Sequence, residues 1–155
     1  MMKKAFIFPG QGSQKVGMGK EIYDNHKAAR EVFEEVNDSL NYDLAKIIFE
    51  GPIETLTMTE NAQPALMAVS MAVLRVLEAE GGVDIADACA FVAGHSLGEY
   101  SALAAARSFG LADTARLLKT RGQAMQKAVP VGEGGMVATS CPELWDVMWS
   151  FKDHG

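Results

Sequence analysis

Residues 94–98 read Gly-His-Ser-Leu-Gly and stand between an apolar run and a helix-like segment. Residues 90–93 have the composition of a buried strand, and residues 99–106 are dominated by residue types that favour helices. The small glycines let the backbone reverse without a clash, so Ser96 is expected at the apex of a strand-to-helix turn with its hydroxyl exposed. This nucleophile-elbow pattern predicts an α/β fold and a serine that can be acylated.

The strength of this signal depends on its context. The pentapeptide alone arises by chance in loops rich in glycine and serine, whereas the motif requires a preceding strand and a following helix. The helix would also place its unpaired N–H groups and the positive end of its dipole near Ser96. Such a site stabilises the oxyanion of an acyl-transfer intermediate.

The composition is that of an ordinary globular domain, and it limits the partners. The chain has 155 residues, of which 48% are hydrophobic and 22% charged, and its formal net charge is −6. Nucleic acids and anionic membranes are bound through clustered Lys and Arg, which this chain lacks. The apolar start at residues 5–8 is stopped by Pro9 before it reaches signal-peptide length, and Arg75 interrupts the apolar stretch at 66–77. We therefore expect a cytoplasmic protein that binds neither nucleic acid nor a membrane.

The two cysteines indicate neither a disulfide framework nor a zinc site. Cys89 and Cys141 lie far apart and form no Cys-x-x-Cys pair. We expect reduced thiols and no bound metal.

The predicted elements follow the order of a right-handed parallel α/β unit: strand, long helical crossover, strand. Residues 5–8 and 90–93 fit strands buried on both faces of a parallel sheet. A strand is also predicted at 136–139, and a short helix after the capping-box spacing of residues 140–143. The longer segments that favour helices are residues 20–40, 44–49, 62–79 with a cap at Asn61, 97–107 ending near Gly110, and 113–128 with a cap at Asp113. The third of these is apolar on nearly every side, which predicts a central buried helix whose methionines fill the core.

Arg121 is a cation on the apolar side of its predicted helix. Its i−4, i−3 and i+4 neighbours are Leu117, Leu118 and Met125. A guanidinium in that setting needs an anionic partner. An internal salt bridge would supply one, and so would a substrate carboxylate gripped by two parallel hydrogen bonds.

The loop after the first strand, residues 10–14, reads Gly-Gln-Gly-Ser-Gln. Lys15 occupies the place of the third glycine of a dinucleotide-binding loop, so NAD or FAD binding is not expected. Loops at the carboxyl ends of neighbouring parallel strands converge, which predicts that Gln11 lies beside Ser96. The backbone N–H groups of Gln11 and Leu97 could then bind one oxyanion, unless the loop is a plain glycine turn.

A serine nucleophile needs a base, and the chain offers three histidines. His26 is predicted on the solvated surface of the first long helix. His95 precedes Ser96, where neighbouring side chains diverge, and is expected to support the turn rather than reach the hydroxyl. His154 is the penultimate residue of a chain end that is expected to fray. None of the three is a convincing base.

Four segments together resemble the malonyl-CoA:acyl carrier protein transacylases of bacterial fatty acid synthesis. They are residues 8–14, 63–66, 94–103 and 121–126, in the order that the family shows. The resemblance implies an α/β-hydrolase-like core with a smaller ferredoxin-like subdomain inserted after the helix that bears the arginine. It also implies a ping-pong cycle in which a serine takes malonyl from coenzyme A and passes it to the phosphopantetheine thiol of acyl carrier protein.

The resemblance gives each matching site residue a role. Ser96 would be the nucleophile and Arg121 the clamp for the malonyl carboxylate. Gln11 and Leu97 would be the oxyanion donors, and Gln63 would line the same cleft. No cofactor is implied, because the coenzyme A thioester is itself the substrate.

The resemblance covers residues 3–138 and divides the chain in two. Residues 1–129 correspond to the nucleophile half of the acyltransferase α/β core, and residues 130–155 to a remnant of the small subdomain with a divergent tail. Because the family's second half supplies the histidine base and further strands, we expect a truncated chain that is weakly active or inactive. An uncovered sheet edge would favour self-association.

Other readings stay open from the sequence. A serine esterase or lipase could use the same elbow, but it needs an acidic residue and then a histidine after Ser96, where only His154 is available. A non-catalytic fragment that retains coenzyme A binding is a further alternative. Arg116, Lys119 and Lys127 are candidates for docking the acidic carrier protein, although a solvated helix face is the simpler explanation.

Overall fold

The computed structural model describes residues 4–128. Within this range the elements are β1 (Ala5–Phe8), α1 (Lys20–Asn25), α2 (Lys27–Leu40), α3 (Leu44–Glu50), α4 (Ile53–Thr57), α5 (Thr59–Ala79), α6 (Ile85–Ala88), β2 (Phe91–Gly94), α7 (Leu97–Ala105) and α8 (Leu111–Ala128). The strand predicted at 136–139, the helix after it and the subdomain predicted at 130–155 lie outside the described residues.

β1 and β2 form a two-stranded parallel sheet, in which Ala5 pairs with Phe91 and Phe8 with Gly94. The chain from α1 to α6 makes the crossover that parallel pairing requires. The predicted α/β class with a parallel core is therefore confirmed. β2 begins and ends one residue later than predicted.

The two faces of this sheet differ in burial. Phe8 is buried, and Phe6 and Val92 pack against the core. Side chains alternate between faces along a strand, and on the other face Ile7 is 78% exposed and Phe91 59% exposed. The prediction of strands buried on both faces is wrong for the described chain, because these two large apolar side chains stay exposed within residues 4–128.

α5 is the central helix of the core and packs against α2, α7 and α8. Its residues from Asn61 to Ala68 are all buried. Met67 and Met71 are almost fully enclosed, so the prediction of a buried helix with methionine filling is confirmed for this part of α5. Each such side chain contributes about 1.5–3 kcal/mol through removal from water. Burial becomes partial towards the end of the helix, where Leu74 is buried but Val73 and Leu77 are exposed.

Several predicted helix boundaries differ from the observed ones. The predicted helix at 20–40 is broken at His26, whose backbone is extended (φ −126°, ψ 121°), so that α1 and α2 are separate. α5 begins at Thr59, and Asn61 lies inside its first turn, where its side chain bonds Thr55 and Tyr42 instead of capping. The side chain of Asn61 thus makes tertiary hydrogen bonds and does not cap the helix.

The boundaries around α7 and α8 also differ. α7 ends at Ala105, where the left-handed backbone of Arg107 (φ 59°) soon follows, and not near Gly110. Gly110 instead starts α8, since its carbonyl oxygen accepts hydrogen bonds from the backbone N–H and the hydroxyl of Thr114. Asp113 is in the first turn of α8 and pairs with Arg116.

Within the described range, α5 has the length and apolar content to cross a membrane. The expectation that Arg75 excludes such a stretch is wrong on these two criteria. However, 56% of the apolar window is buried inside the protein, as in a core helix, so this is weak evidence for a membrane span.

Candidate active site

The turn between β2 and α7 holds Ser96 in an unusual backbone conformation. Its φ of 55° and ψ of −112° belong to a region that residues with a side chain rarely adopt. Such a conformation costs on the order of 1–3 kcal/mol. Ser96 occupies the N-cap position of α7, yet its side chain makes no capping hydrogen bond. The strained backbone therefore leaves the hydroxyl free for another partner.

Glycines allow the backbone segments of this turn to touch. A Cβ atom on Gly94 would overlap the backbone of Gly98, and one on Gly98 would overlap the carbonyl oxygen of Phe8. The end of β1, the end of β2 and the first turn of α7 are thus in direct backbone contact. No other residue type fits at either glycine without moving the chain.

The end of β1 and its following loop lie against the same turn. The backbone N–H of His95 donates to the carbonyl oxygen of Phe8 at 3.2 Å, and a Cβ on Gly10 would overlap the His95 ring. The predicted convergence of the two strand ends is therefore observed. Gln11 is the next residue of this loop, and its side-chain Nε2 donates to Thr59 Oγ1 at 3.3 Å. Leu97 is the first residue of α7, so its N–H has no partner within the helix.

Arg121 reaches this turn from α8. Its Nη2 donates to Ser96 Oγ at 3.1 Å, and its Nη1 donates to Gln63 Oε1 at 2.7 Å. The guanidinium carbon lies 5.7 Å from the centre of the Tyr100 ring, within range of a cation–π contact. Among residues 4–128 the guanidinium has no carboxylate partner. The internal salt bridge that the sequence left open is thus not found in the described part of the chain.

Gln63 connects Arg121 to Met125, which the sequence analysis named only as an apolar neighbour and not as a site residue. Its side chain is fully buried, and while Oε1 accepts from Arg121, Nε2 donates to Met125 Sδ at 3.3 Å. Met125 and Tyr100 were detectable only as the i+4 neighbours of Arg121 and Ser96 on their helices. Ser96, Gln63 and Arg121 are therefore brought together as a group, and the roles that the resemblance gives them stay predictions.

No histidine of the described chain bonds Ser96. His26 keeps part of its surface in solvent, as predicted, but its Nδ1 also lies 2.8 Å from the carboxylate of Glu80. His95 supports the turn through its backbone and through its packing against Gly10. His154, which the esterase alternative needs, lies outside the described residues, as does Cys141.

Residues 4–128 contain no cluster of side chains that could hold a metal ion, and Cys89 is a free thiol.

Two of the three candidate docking cations are engaged within the chain. Arg116 pairs with Asp113 at 2.6 Å. Lys119 Nζ lies 2.9 Å from Glu60 Oε2 and also contacts the side chain of Tyr42. The hydrogen bond from Lys119 holds the pKa of Glu60 below its ordinary value, whereas burial raises the pKa of Tyr42. Lys119 is therefore engaged in contacts within the chain, chiefly with Glu60 of α5.

The structure places a serine at a strained strand-to-helix turn of a parallel α/β layer. The arginine beside this serine has no carboxylate partner among residues 4–128. These features are those expected of a serine-dependent acyl transferase. The model of the protein family described as "Acyl transferase domain" matches residues 5–149 of the chain. The chain therefore belongs to the acyl transferase domain family, as the resemblance implied.

Its relatives include carrier-protein malonyltransferases. The malonyl CoA-acyl carrier protein transacylase of Bacillus subtilis (strain 168) is 50% identical over 138 residues, which are 89% of this chain and 42% of that protein. The crystal structure of an acyl-carrier-protein-S-malonyltransferase from Bartonella henselae has a TM-score of 0.87 and 55% identity, covering 99% of this chain and 50% of that one.

A third similar structure contains a carrier protein. It shows a type II PKS acyl-carrier protein in complex with its malonyl-transacylase, with a TM-score of 0.77 and 43% identity over 83% of this chain and 40% of that one. The chain thus spans half or less of the length of these relatives.

Proposed function

We propose that residues 4–128 form the serine-bearing part of a malonyl-CoA:acyl carrier protein transacylase site, in which the β2–α7 turn is a nucleophile elbow. The names of the relatives support the reaction, and the arrangement of Ser96 and Arg121 supports the assignment of roles. The substrate is a coenzyme A thioester, so no further cofactor is needed. A bacterial enzyme of this kind would work in the cytoplasm.

The observation that carries the proposal is the Arg121 guanidinium. It is half-buried, touches the serine hydroxyl and is held by the neutral amide of Gln63 instead of a carboxylate. A cation removed from water without an anion is costly, so an incoming carboxylate is bound favourably. A malonyl group carries a free carboxylate next to its thioester carbon, and an acetyl group does not. The site thus favours a diacid thioester.

The proposed transfer proceeds through an acyl-enzyme, with Ser96 as the nucleophile. Ser96 Oγ attacks the thioester carbonyl carbon while its proton passes to a base, and a tetrahedral oxyanion forms. The N–H groups of Leu97 and Gln11 would hold that oxyanion. The carbon–sulfur bond then breaks while the base returns the proton to sulfur, so coenzyme A leaves as the thiol and the malonyl ester remains on Ser96. The thiol of the carrier protein's phosphopantetheine attacks this ester in the reverse sense and regenerates the hydroxyl.

The base for the first step is not supplied by residues 4–128. His26 is bonded to Glu80, and His95 packs against the loop after β1. Oxyanion donors alone retain part of the catalysis, so we expect acylation that relies on residues 4–128 alone to be slower than in a site with a base by several orders of magnitude.

Equilibrium binding tests the carboxylate clamp without needing turnover. Isothermal titration calorimetry should show that malonyl-CoA binds more tightly than acetyl-CoA by about tenfold to a hundredfold, since a hydrogen bond to a charged group contributes about 1.5–3 kcal/mol. Arg121→Ala should erase the difference. Arg116→Ala is the matched control on the same helix and should retain it. Equal affinities in the unmodified chain would refute the clamp.

A further inference from the structure

α8 crosses α5 at a point of backbone contact. A Cβ on Gly122 would lie 2.6 Å from the Cα of Glu60 and 2.7 Å from the carbonyl oxygen of Thr59. Only a glycine allows the two helices to approach this closely. Gly122 is therefore the point of closest contact between the two helices, which we call the pivot of the crossing. Arg121 is its neighbour in the sequence.

Side chains of α8 bond side chains of α5 on both sides of this pivot. Successive residues of a helix turn by about 100°, so Lys119 and Gln123 lie on one side of Gly122, and Arg121 and Met125 lie on the other. This division matches the contacts observed. The first pair bonds Glu60, and the second pair bonds Gln63.

The Glu60 side of the crossing is the more highly charged one. Lys119 Nζ lies 2.9 Å from Glu60 Oε2 and 3.3 Å from Asn61 Oδ1, and it sits 4.6 Å from the centre of the Tyr42 ring. Gln123 Nε2 adds a hydrogen bond of 3.2 Å to the same Glu60 oxygen. The side chains of Lys119 and Glu60 are only 21% and 25% exposed, so solvent screens this pair less than an ordinary surface pair.

We propose that Lys119 and Glu60 are positioning residues that fix the rotation of α8 about its own axis and thereby hold the Arg121 guanidinium at Ser96. Gly122 itself offers no side chain to interlock with α5, so the rotation of α8 depends on the side chains that flank it. Lys119 and Arg121 belong to the same rigid helix. A rotation of α8 that moves Arg121 away from Ser96 therefore also moves Lys119 away from the Glu60 carboxylate, and this ion pair opposes the rotation. This inference rests on the proposed function, since it assigns to the pair the preference for thioesters that carry a carboxylate.

The first measurement is independent of any ligand. The side-chain N–H signal of Arg121 in a ¹⁵N spectrum, assigned by its loss in Arg121→Lys, reports where the guanidinium sits. Lys119→Met should shift and broaden this signal, and Lys119→Arg should restore it because the charge and the donors are kept. Lys46→Met changes an exposed lysine of α3 and should leave the signal in place.

The second measurement is the ratio of the dissociation constants for acetyl-CoA and malonyl-CoA. Lys119→Met should lower this ratio by about threefold or more, in line with couplings between contacting residues, while the affinity for acetyl-CoA stays the same. Glu60→Gln removes the charge from the other partner with little change in shape, and it should act in the same direction. It also decides the matter if Lys119→Met fails to fold.

The two measurements separate the two ideas. If the unmodified chain shows no preference for malonyl-CoA but the Arg121 signal still responds to Lys119→Met, the substrate assignment fails and the positioning stands. If folded Lys119→Met and Glu60→Gln leave both the Arg121 signal and the affinity ratio unchanged, the positioning role is overturned.

Discussion

The β2–α7 turn and the α8–α5 crossing deliver two groups to one point by different means. The turn holds Ser96 through contacts between backbone atoms, and glycines at positions 94 and 98 leave no room for a side chain. The crossing has one such contact, at Gly122, and combines it with the burial of Leu118 and with polar side-chain contacts on either side. Ser96, in a strained conformation, thus has a rigid backbone frame, whereas the cation beside it is placed by contacts that side-chain substitutions can alter.

Gly94→Ala should have the largest effect, because it tests the rigid frame where it is tightest. The added methyl group would overlap the Gly98 carbonyl, which is backbone and cannot turn aside. We expect a loss of more than about 3 kcal/mol in the free energy of unfolding, measured by urea titration. Gly110→Ala is the control, since its Cβ would meet no atom closer than 3.7 Å. A stable Gly94→Ala chain would show that the turn is not tightly packed.

Gly122→Ala should have a smaller effect, because two helices can separate where a tight turn cannot. Overpacking costs about 1–3 kcal/mol, and the better helix propensity of alanine returns up to about 1 kcal/mol. We expect a net loss of about 1–2 kcal/mol by urea titration. The preference for malonyl-CoA over acetyl-CoA should fall further than the stability suggests, since Arg121 moves with the helix. An unchanged preference at reduced stability would remove Gly122 from the role of pivot.

The smallest effect is expected at Ser96, as a difference in stability between two variants, Ser96→Gly and Ser96→Ala. Glycine accepts a φ of 55° without strain, whereas serine and alanine do not. After the entropy that glycine gains in the unfolded chain is subtracted, Ser96→Gly should be about 1 kcal/mol more stable than Ser96→Ala. Both lack the hydroxyl, so their difference isolates the backbone. Equal stabilities would mean that the turn stores no strain.

The sequence predicted what depends on local pattern. The strand, glycines, serine and helix around residue 96 follow one another in the chain, so their order alone indicates the turn. Arg121 was recognisable because its helical neighbours are apolar. The convergence of the β1 and β2 ends followed from the general geometry of parallel strands.

What the sequence could not predict depends on contacts between distant segments. Gln63 and Arg121 are 58 positions apart in the chain, and their hydrogen bond needs both helices in place. The break at His26 comes with a bond to Glu80, 54 positions away, which no helical pattern contains. The exposure of Ile7 depends on which elements cover the sheet, and the apolar run alone does not specify them.

The identity of the acylated residue is the property to measure. The chain is incubated with malonyl-CoA or acetyl-CoA, and the adduct is followed by intact mass and located by peptide mapping. We predict slow transfer of one malonyl group to Ser96, absent in Ser96→Ala, and slower transfer of acetyl. A malonyl adduct that persists in Ser96→Ala, or labelling at equal rates from both thioesters, would contradict a diacid-selective serine at this turn.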